Sequence, residues 1–518
     1  MAKRLLSILL SMLLLVSLSA TLAGCGKSKV NSFTWFVDDI PTNLDPQVAS
    51  DSADVIACTH LYDGLFRKDA DGTPQNACCA NYTVSSDGLT YTFTLESGLT
   101  YQEFKGGASE HPLTAQDFVF AFRRVFDAAT ASPYASSFAA IENGPEVLSG
   151  AQPATALGVS APDNTTLVIR LSSPDENFLE KLTLPGAMPC NEAFFNSTKG
   201  SYGLSKNTVL TNGPFYLYNW TESGLFLRSG AKGNAINSLR LVQNTDASGM
   251  SPQALVENEK CTAALDTSSE PTALQEISYS DTTWCLVFNG SSVFSSTSLR
   301  MALAADAQKA DMPADTTLYT AVDGIIPRGV AVDGYDYRTT AGSARASLSD
   351  PKALFTQALA EAGTENLKGL RILVPESADA AYVQALNSLW QEDYSLFFSI
   401  DTVEDETFWQ RYNSGDYTMA LVPLSLSQSD PLSMLSPFTD TALFPDVSFS
   451  GLMRQAASVS GKAKCDAIYQ AERRLTDSCE VVPLYAQEKR LLVDPSIVGL
   501  RFDPYGPLID VTGAEIKQ

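Results

Sequence analysis

The stretch 113–127, LTAQDFVFAFRRVFD, carries the clearest structural signal in this chain. Thr114, with Asp117 three residues later, is typical of the capping box that begins a helix. Three apolar positions then repeat at helical spacing: Phe118, Phe122 and Val125. Because these positions form one stripe, we predict an amphipathic helix that packs on a core, with Arg123 and Arg124 on its solvated side.

The segments around this helix predict strands and further helices. In DGLTYTFTLESGLTY (87–101), apolar and threonine side chains alternate, as they do in a half-buried strand. Residues 32–38 and 164–173 predict two more strands, and 54–66 has helical periodicity. Strand and helix patterns keep alternating to the C-terminus, without an internal repeat or a clear linker. The chain therefore predicts an α/β protein whose domains are built from discontinuous segments.

The N-terminus has the layout of an export signal. Lys3 and Arg4 precede an uncharged apolar run at 5–22, and small residues then lead to Cys25 in LAGC. This end resembles the lipobox of bacterial lipoproteins, which implies that residues 1–24 are cleaved and that Cys25 carries the lipid. Residues 25–31 would form a tether. The alternative is an ordinary signal or an uncleaved anchor with a chance cysteine.

Charge and length restrict the function. The chain of 518 residues has 35 basic and 59 acidic residues, and removal of residues 1–24 leaves a net charge of about -26. This charge argues against nucleic acid as a partner and favours a body that stands off an anionic membrane surface. A body of this length predicts two or three domains. No second apolar run is long enough to span a bilayer.

Metal sites, cofactors and catalysis are not predicted. Cysteine and histidine spacings match no zinc site, and no P-loop, GxGxxG, HExxH or GxSxG motif is present. The redox state of the cysteines after Cys25 stays open, although export permits disulfides. They are Cys58, Cys78, Cys79, Cys190, Cys261, Cys285, Cys465 and Cys479.

Several segments, taken in order, resemble the solute-binding lipoproteins of oligopeptide and dipeptide ABC transporters, family 5 of the extracellular solute-binding proteins. The matching segments are NLDP (43–46), LYDGLF (61–66), VSSDGLTYTFTLESGLTY (84–101), LTAQDFVFAFRRVFD (113–127), NGPFYLYNW (212–220), LVFN (286–289), LRMAL (299–303), IIPRG (325–329), WQRYNSGDYTM (409–419), SDPLSML (429–435), VVPLY (481–485) and LVDPSIVG (492–499). Each pattern is weak alone, but their order along nearly the whole mature chain is specific.

The resemblance implies a two-lobed α/β fold of the periplasmic-binding-protein type, with a hinge and an extra subdomain in the first lobe. Lobe I would comprise 32–58, 170–280 and 482–518, with the subdomain inserted at 59–169. Lobe II would be 281–481, and the two hinge strands would lie near residues 280 and 480. A ligand would sit between the lobes and be released by reopening.

Such proteins bind peptides mainly through backbone hydrogen bonds, and an aspartate of lobe II binds the peptide ammonium group. In this chain Ser427 occupies the expected aspartate position, so another acid could act or the ligand could lack a free amino terminus. The ligand-binding candidates implied by position are Asp39, Pro41, Trp284, Cys285, Asn289, Leu424, Ser425, Ser427 and Tyr485. Trp284 could equally be a core residue, and Asn289 could serve the local backbone. We predict that Trp409 and Tyr412 belong to the core face of a helix.

The resemblance implies a monomer anchored by lipid to the outer face of the bacterial cell membrane, which hands peptides or peptide-like solutes to an ABC permease. The alternative is a surface lipoprotein of the same fold that senses a peptide signal or binds a non-peptide solute. A hydrolase is a remote third possibility, because no catalytic constellation marks the chain.

Overall fold

The computed structural model describes residues 31–517 apart from 70–71, 176, 246–248, 269, 309–317, 334, 349, 364–366, 427–429, 440, 442–443, 445, 460 and 506–507. The predicted signal sequence and Cys25 therefore lie outside the described residues. Among the described residues, no helix is long and apolar enough to cross a membrane.

Helices and strands alternate along the chain. The helices are α1 Ser52–Leu61, α2 Ala115–Val125, α3 Gly144–Leu148, α4 Phe178–Lys181, α5 Glu192–Ser197, α6 Pro252–Glu257, α7 Thr297–Ala307, α8 Tyr337–Ala341, α9 Pro351–Ala362, α10 Ala380–Tyr394, α11 Asp405–Ser414, α12 Val447–Ser458 and α13 Gly461–Asp477. The strands are β1 Ser32–Phe36, β2 Phe66–Lys68, β3 Pro74–Asn76, β4 Cys79–Val84, β5 Thr90–Leu95, β6 Thr100–Glu103, β7 Gly107–Pro112, β8 Val159–Ser160, β9 Thr166–Arg170, β10 Phe215–Thr221, β11 Gly224–Ser229, β12 Ser238–Val242, β13 Ala263–Asp266, β14 Gln275–Phe288, β15 Tyr319–Ala321, β16 Ala331–Val332, β17 Tyr335–Asp336, β18 Arg371–Pro375, β19 Ser399–Val403, β20 Met419–Ser425, β21 Val481–Val493, β22 Ile497–Val498, β23 Arg501–Asp503, β24 Leu508–Asp510 and β25 Glu515–Ile516.

Three larger sheets organise these elements. One sheet has the strand order β1-β12-β11-β10, in which β1 joins β12 in parallel although the two are far apart in sequence. A second sheet, β4-β5-β9-β8, is antiparallel throughout. The third has the order β13-β21-β14-β20-β18-β19, and β15 pairs with β21. The α/β fold class predicted from the sequence is confirmed.

Each of the first two sheets packs against a hydrophobic core of its own. The sheet β4-β5-β9-β8 packs on α2, whose Phe118, Phe122 and Val125 are buried as predicted. Its core also includes Leu182 and Leu210, which lie beyond the predicted subdomain end at 169. The sheet of β1 shares a core with the C-terminal segment through residues such as Ile509. The lobe boundaries themselves stay a prediction.

The largest sheet is covered on both faces. Along β14, Trp284 and Leu286 belong to one core, whereas Cys285 and Val287 belong to the other. Because strand side chains alternate between faces, this pattern shows that layers pack on both sides of the sheet. The long strands β14 and β21 pair from Gln275 to Val287 and extend from this double-covered region toward β13.

Two predictions about helix faces are wrong. Arg124 was placed on the solvated side of α2, but it is 8% exposed because it forms an ion pair with Asp45. Trp409 and Tyr412 were both predicted as helix core on α11. Tyr412 is 5% exposed and fits that prediction, whereas Trp409 is 39% exposed.

The capping prediction for α2 is confirmed. The Thr114 backbone N–H donates to the Asp117 carboxylate at 2.7 Å.

The cysteines Cys58, Cys78, Cys79, Cys190, Cys261, Cys285, Cys465 and Cys479 are all buried free thiols. Burial in the hydrophobic interior therefore explains the presence of these cysteines without disulfide bonds.

Candidate functional site: the cleft between the cores

A cavity of about 860 Å³ opens between one of the two cores of the largest sheet and the cores of the other two sheets. One wall comes from residues within segments 49–68, 133–137, 181–188 and 501–505, together with Asp510. The opposite wall comes from residues 331–333, Leu426, residues 430–433, Ala457, Val459 and Lys464, which lie in loops and helix ends beside the largest sheet. This volume is within the usual range for a site that encloses a small molecule or short peptide.

A buried ion pair positions the first wall. The Arg124 guanidinium binds both carboxylate oxygens of Asp45, and one of its nitrogens also donates to the Gln47 side chain at 2.6 Å. Segment 45–49 is therefore tied to the helix α2. Tyr134 adds a further link, because its hydroxyl donates to the Ala49 carbonyl at 2.6 Å. Both Ala49 and Tyr134 line the cleft.

A charged network lies at the base of the same wall. Arg67 donates to the Asp63 carboxylate at 2.7 Å and lies 3.6 Å from Asp510. Arg501 also donates to the Asp510 carboxylate, at 3.3 Å. Burial alone would raise the pKa of Asp510, but the adjacent His60 ring, the Arg67 and Arg501 guanidinium groups and a hydrogen bond from Thr512 hold this pKa below its usual range.

His60 belongs to this network as a neutral group. Its Nδ1 donates to the Ile56 carbonyl at 2.7 Å, and its Nε2 accepts the Val511 backbone N–H at 3.0 Å. Burial lowers the pKa of His60, which agrees with this neutral tautomer. Its two ring nitrogens are satisfied by backbone, so His60 holds the C-terminal segment against α1.

The opposite wall is held by another buried ion pair. Glu472 on α13 is 0% exposed and accepts from Arg338 at 2.7 Å, from Tyr337 at 2.6 Å and from the Ile326 backbone at 3.0 Å. These bonds fix the glycine- and proline-broken stretch that leads into the β16-β17 hairpin. Val332 of that hairpin therefore faces the cleft from a rigid support.

The walls meet at a bulge in β14. The pairing of β14 with β21 shifts register between Tyr279 and Thr282. At this bulge the Asp281 carbonyl accepts the Leu426 N–H at 2.8 Å, and the Ser280 carbonyl accepts the Tyr505 hydroxyl at 2.9 Å. Leu426 and Tyr505 line opposite walls of the cleft. A bulge that connects both walls is a suitable hinge, because bulged strands bend locally.

None of the predicted ligand residues that the structure describes lines this cleft. Trp284 and Tyr485 stack at 6.2 Å and are 3% and 1% exposed. Tyr319 and Tyr382 close this aromatic group, each at 4.9 Å from Tyr485. The strands β14 and β21 that carry Trp284 and Tyr485 therefore pair as neighbours, but the space around the two rings is filled by other side chains of the protein.

The polar predicted residues mainly serve the protein. Asn289 Nδ2 donates to the carbonyls of Gly415 and Tyr417, both at 3.0 Å. The Ser425 hydroxyl lies 2.9 Å from that of Thr282. The remaining placements are Asp39 exposed, Pro41 buried with its carbonyl bound by Trp220, Cys285 buried and Leu424 buried. Ser427 lies outside the described residues.

The sequence interpretation missed the residues that form the second wall. Leu426, Asp430 and Ser433 line the cleft, although the motif SDPLSML that contains two of them had been recognised. Their signal was the turn residues that follow a buried strand, since loops after strands commonly carry binding residues. No group of three or more metal-ligating side chains occurs among the described residues.

Comparison with known proteins agrees with this architecture. Residues 73–229 match the family described as bacterial extracellular solute-binding proteins, family 5 Middle. The dipeptide-binding protein of Lactococcus lactis subsp. cremoris is 26% identical, with 96% of each chain covered. The oligopeptide-binding protein OppA of Bacillus subtilis is 21% identical over 89% of this chain and 88% of its own.

Solved structures extend the similarity to the fold. The substrate-binding domain of an oligopeptide ABC transporter from Bacillus anthracis has a TM-score of 0.66 at 21% identity, with 95% of this chain and 99% of the other covered. Listeria monocytogenes OppA bound to peptide also gives 0.66 at 21% identity, covering 95% and 100%. The predicted resemblance to the peptide-binding proteins of family 5, with their two-lobed α/β fold, is therefore confirmed.

Proposed function

We propose that this protein captures peptides or peptide-like solutes in the cleft between its lobes and delivers them to an ABC transporter permease. The observation that carries the proposal is the 860 Å³ cleft whose two walls come from different cores and meet at one hinge bulge. Such a cleft can enclose a ligand by closure without any chemical step. Relatives named as peptide-binding proteins along nearly the whole chain support the ligand class.

The cleft walls suit a ligand of mixed character. Apolar side chains such as Leu184 and Val459 alternate with hydroxyl groups such as Ser136. A peptide offers backbone donors and acceptors for the hydroxyl groups, while its side chains can cover the apolar surface. Ordered water can fill the space that a shorter ligand leaves.

A substitution that fills the cleft tests this location. Ala457→Trp places a large ring at an exposed position that lines the cleft at the end of α12. We expect it to lower the affinity for peptide mixtures by at least about tenfold, which corresponds to about 1.4 kcal/mol. The control is Val447→Trp at the other end of α12, which is 79% exposed and outside the cleft. Equal affinities of the two variants would contradict the location.

Attachment to the membrane forms a separate part of the proposal. We propose that Cys25 carries a lipid and that the body acts on the outer face of the cell membrane, supported by LAGC behind the apolar run. Labelling of cells with a fatty-acid analogue should mark the wild type and not Cys25→Ser. Labelling of both proteins, or of neither, would contradict the anchor. We further propose that the body acts as a monomer.

A second candidate is a sensor or a carrier of a non-peptide solute. Two relatives favour this reading: the probable deoxycholate-binding periplasmic protein YgiS of Escherichia coli at 24% identity, and a structure titled pheromone receptor PrgZ with a TM-score of 0.66. Ser427 at the position expected for an ammonium-binding aspartate points the same way. Tight selectivity for one compound would favour this candidate over transport of mixed peptides.

A further inference from the structure

The charged side chains of the cleft carry information about the ligand. Ten charged residues line it, five basic and five acidic. They are Asp63, Arg67, Lys68, Lys181, Asp333, Asp430, Lys464, Arg501, Asp503 and Asp510. Whether each charge already has a partner in the protein decides which charge on a ligand the cleft can accommodate, because a paired charge offers little to a ligand.

Every basic residue of this set is paired with a protein carboxylate. Lys68 lies 3.0 Å from Glu180, and Lys181 lies 2.6 Å from Asp175. Lys464 has the longest pair, at 4.0 Å from Asp333.

The two arginines are shared among three acids. Arg67 pairs with Asp63 and Asp510, and Arg501 pairs with Asp510 and lies 3.8 Å from Asp503. Because His60 is neutral, this group carries one more negative than positive charge. An anionic ligand group would therefore have to displace a protein carboxylate to reach a cation.

Asp430 differs from the other charged residues of the cleft. Within the part of the chain that the structure describes, its carboxylate forms no ion pair and accepts only the Leu432 backbone N–H, at 3.0 Å. It is exposed and lies on the wall opposite the arginines. Glu180 and Asp175, behind Lys68 and Lys181, add two more negative charges next to the cleft.

We propose that the cleft selects solutes by charge: it favours ligands that carry a cationic side chain, with Asp430 as a specificity-determining residue, and disfavours anionic ones. This inference rests on the proposed function. The chain's net charge of -24 acts in the same direction, because it attracts cations toward the cleft from a distance. Selection would arise from the paired state of the basic residues as much as from Asp430 itself.

The test uses three peptide pools in which the charge of one side chain differs. Each pool contains alanine peptides of three to six residues with one internal Lys, Gln or Glu, and affinities are measured by calorimetry at low salt. We expect the Lys pool to bind about tenfold tighter than the Glu pool, with Gln between them. Raising the salt to 0.5 M should narrow this range, since exposed charges are screened.

Two variants assign the selection to its residues. In Asp430→Asn the asparagine side chain can still accept the Leu432 N–H, because asparagine is also a good cap. We expect this variant to lower the affinity for the Lys pool about two- to fivefold and to leave the affinity for the Gln pool unchanged. The control Glu406→Gln removes an exposed acid on α11, outside the cleft, and should change no pool.

The outcomes separate this inference from the proposed function. Failure of all three pools to bind would contradict the capture of peptides. Binding of the Glu pool as tightly as the Gln pool would overturn the charge selection and leave peptide capture intact. Loss of Glu-pool binding in the Lys464→Met variant would overturn the charge selection as well, because it would show that Lys464 of the wild type binds the anionic side chain. An unchanged affinity of the Asp430→Asn variant for the Lys pool would contradict the role of Asp430 as a specificity-determining residue.

Discussion

Replacement of Arg124 by methionine should destabilise the protein strongly, because it breaks the ion pair that ties segment 45–49 to α2. The substitution removes both bonds to Asp45, the bond to Gln47 and the stacking of the guanidinium over Phe195 at 4.3 Å. Asp45 would remain as a carboxylate that is 5% exposed. Removal of one partner from a buried pair costs about 3–5 kcal/mol, since the other charge stays buried without compensation.

Details of the site place the expected cost at the lower end of that range. The Gln47 backbone N–H still donates to Asp45 at 3.1 Å, so the carboxylate keeps one hydrogen bond. We therefore expect a loss of about 3 kcal/mol in the free energy of unfolding for Arg124→Met. The double variant Asp45→Asn with Arg124→Met should recover part of this loss, because no charge is then left buried.

Unfolding in guanidinium chloride, followed by circular dichroism, measures these differences. The matched control is Arg170→Met, because Arg170 binds Glu142 at 2.7 Å but the two side chains are 54% and 41% exposed. Exposed pairs contribute about 0–1 kcal/mol. If Arg124→Met and Arg170→Met lost the same free energy of unfolding, the reasoning from burial would be refuted.

Three further predictions concern other buried groups. Glu472→Gln should lose at least about 3 kcal/mol of unfolding free energy, whereas Asp477→Asn, in an exposed pair on the same helix, should lose less than about 1 kcal/mol; similar losses would contradict the buried network. Burial raises the pKa of Asp54 to about 6, so its ionisation opposes folding; Asp54→Asn should gain stability relative to wild type, by up to about 2 kcal/mol, as the pH rises from 4 to 7, and a pH-independent difference would refute this. In protein that begins after Cys25, a thiol reagent should label no cysteine in the native state and all eight in denaturant, and rapid native labelling would contradict their burial.

Local features of the fold could be predicted from the sequence. The capping box at Thr114 and the stripe on α2 depend on residues three or four apart, and both occur in the structure. The alternating pattern at 90–95 likewise corresponds to β5. Such signals are readable because the interacting residues are neighbours in the chain.

Contacts between residues that are far apart in the sequence limit what can be predicted from it. Arg124 was predicted to face solvent because its partner Asp45 lies 79 residues away, and no local pattern reveals that pairing. His60 and Val511 are separated by 451 residues, yet their bond helps to form the base of the cleft. The family resemblance implied ligand-binding positions for Trp284 and Tyr485, but nothing in the sequence indicated that Tyr319 and Tyr382 pack against Tyr485.

The lining of the cleft could not be predicted from the sequence for the same reason. The cleft is lined mainly by turn residues such as Leu426, Asp430 and Tyr505, whose positions depend on the hinge bulge and on buried ion pairs. The predicted candidates came from positions matched to the family, and none of those that the structure describes lines the cleft. Their role in ligand binding stays a prediction.

The central claim is that the cleft carries peptides, and mass spectrometry of ligands released from the purified protein tests it most directly. Protein that begins after Cys25 would be purified without denaturation, then unfolded, and the released small molecules would be identified. The account predicts a set of short peptides, enriched in lysine and arginine over aspartate and glutamate. A single non-peptide compound, or no ligand together with no stabilisation by peptide mixtures, would contradict it.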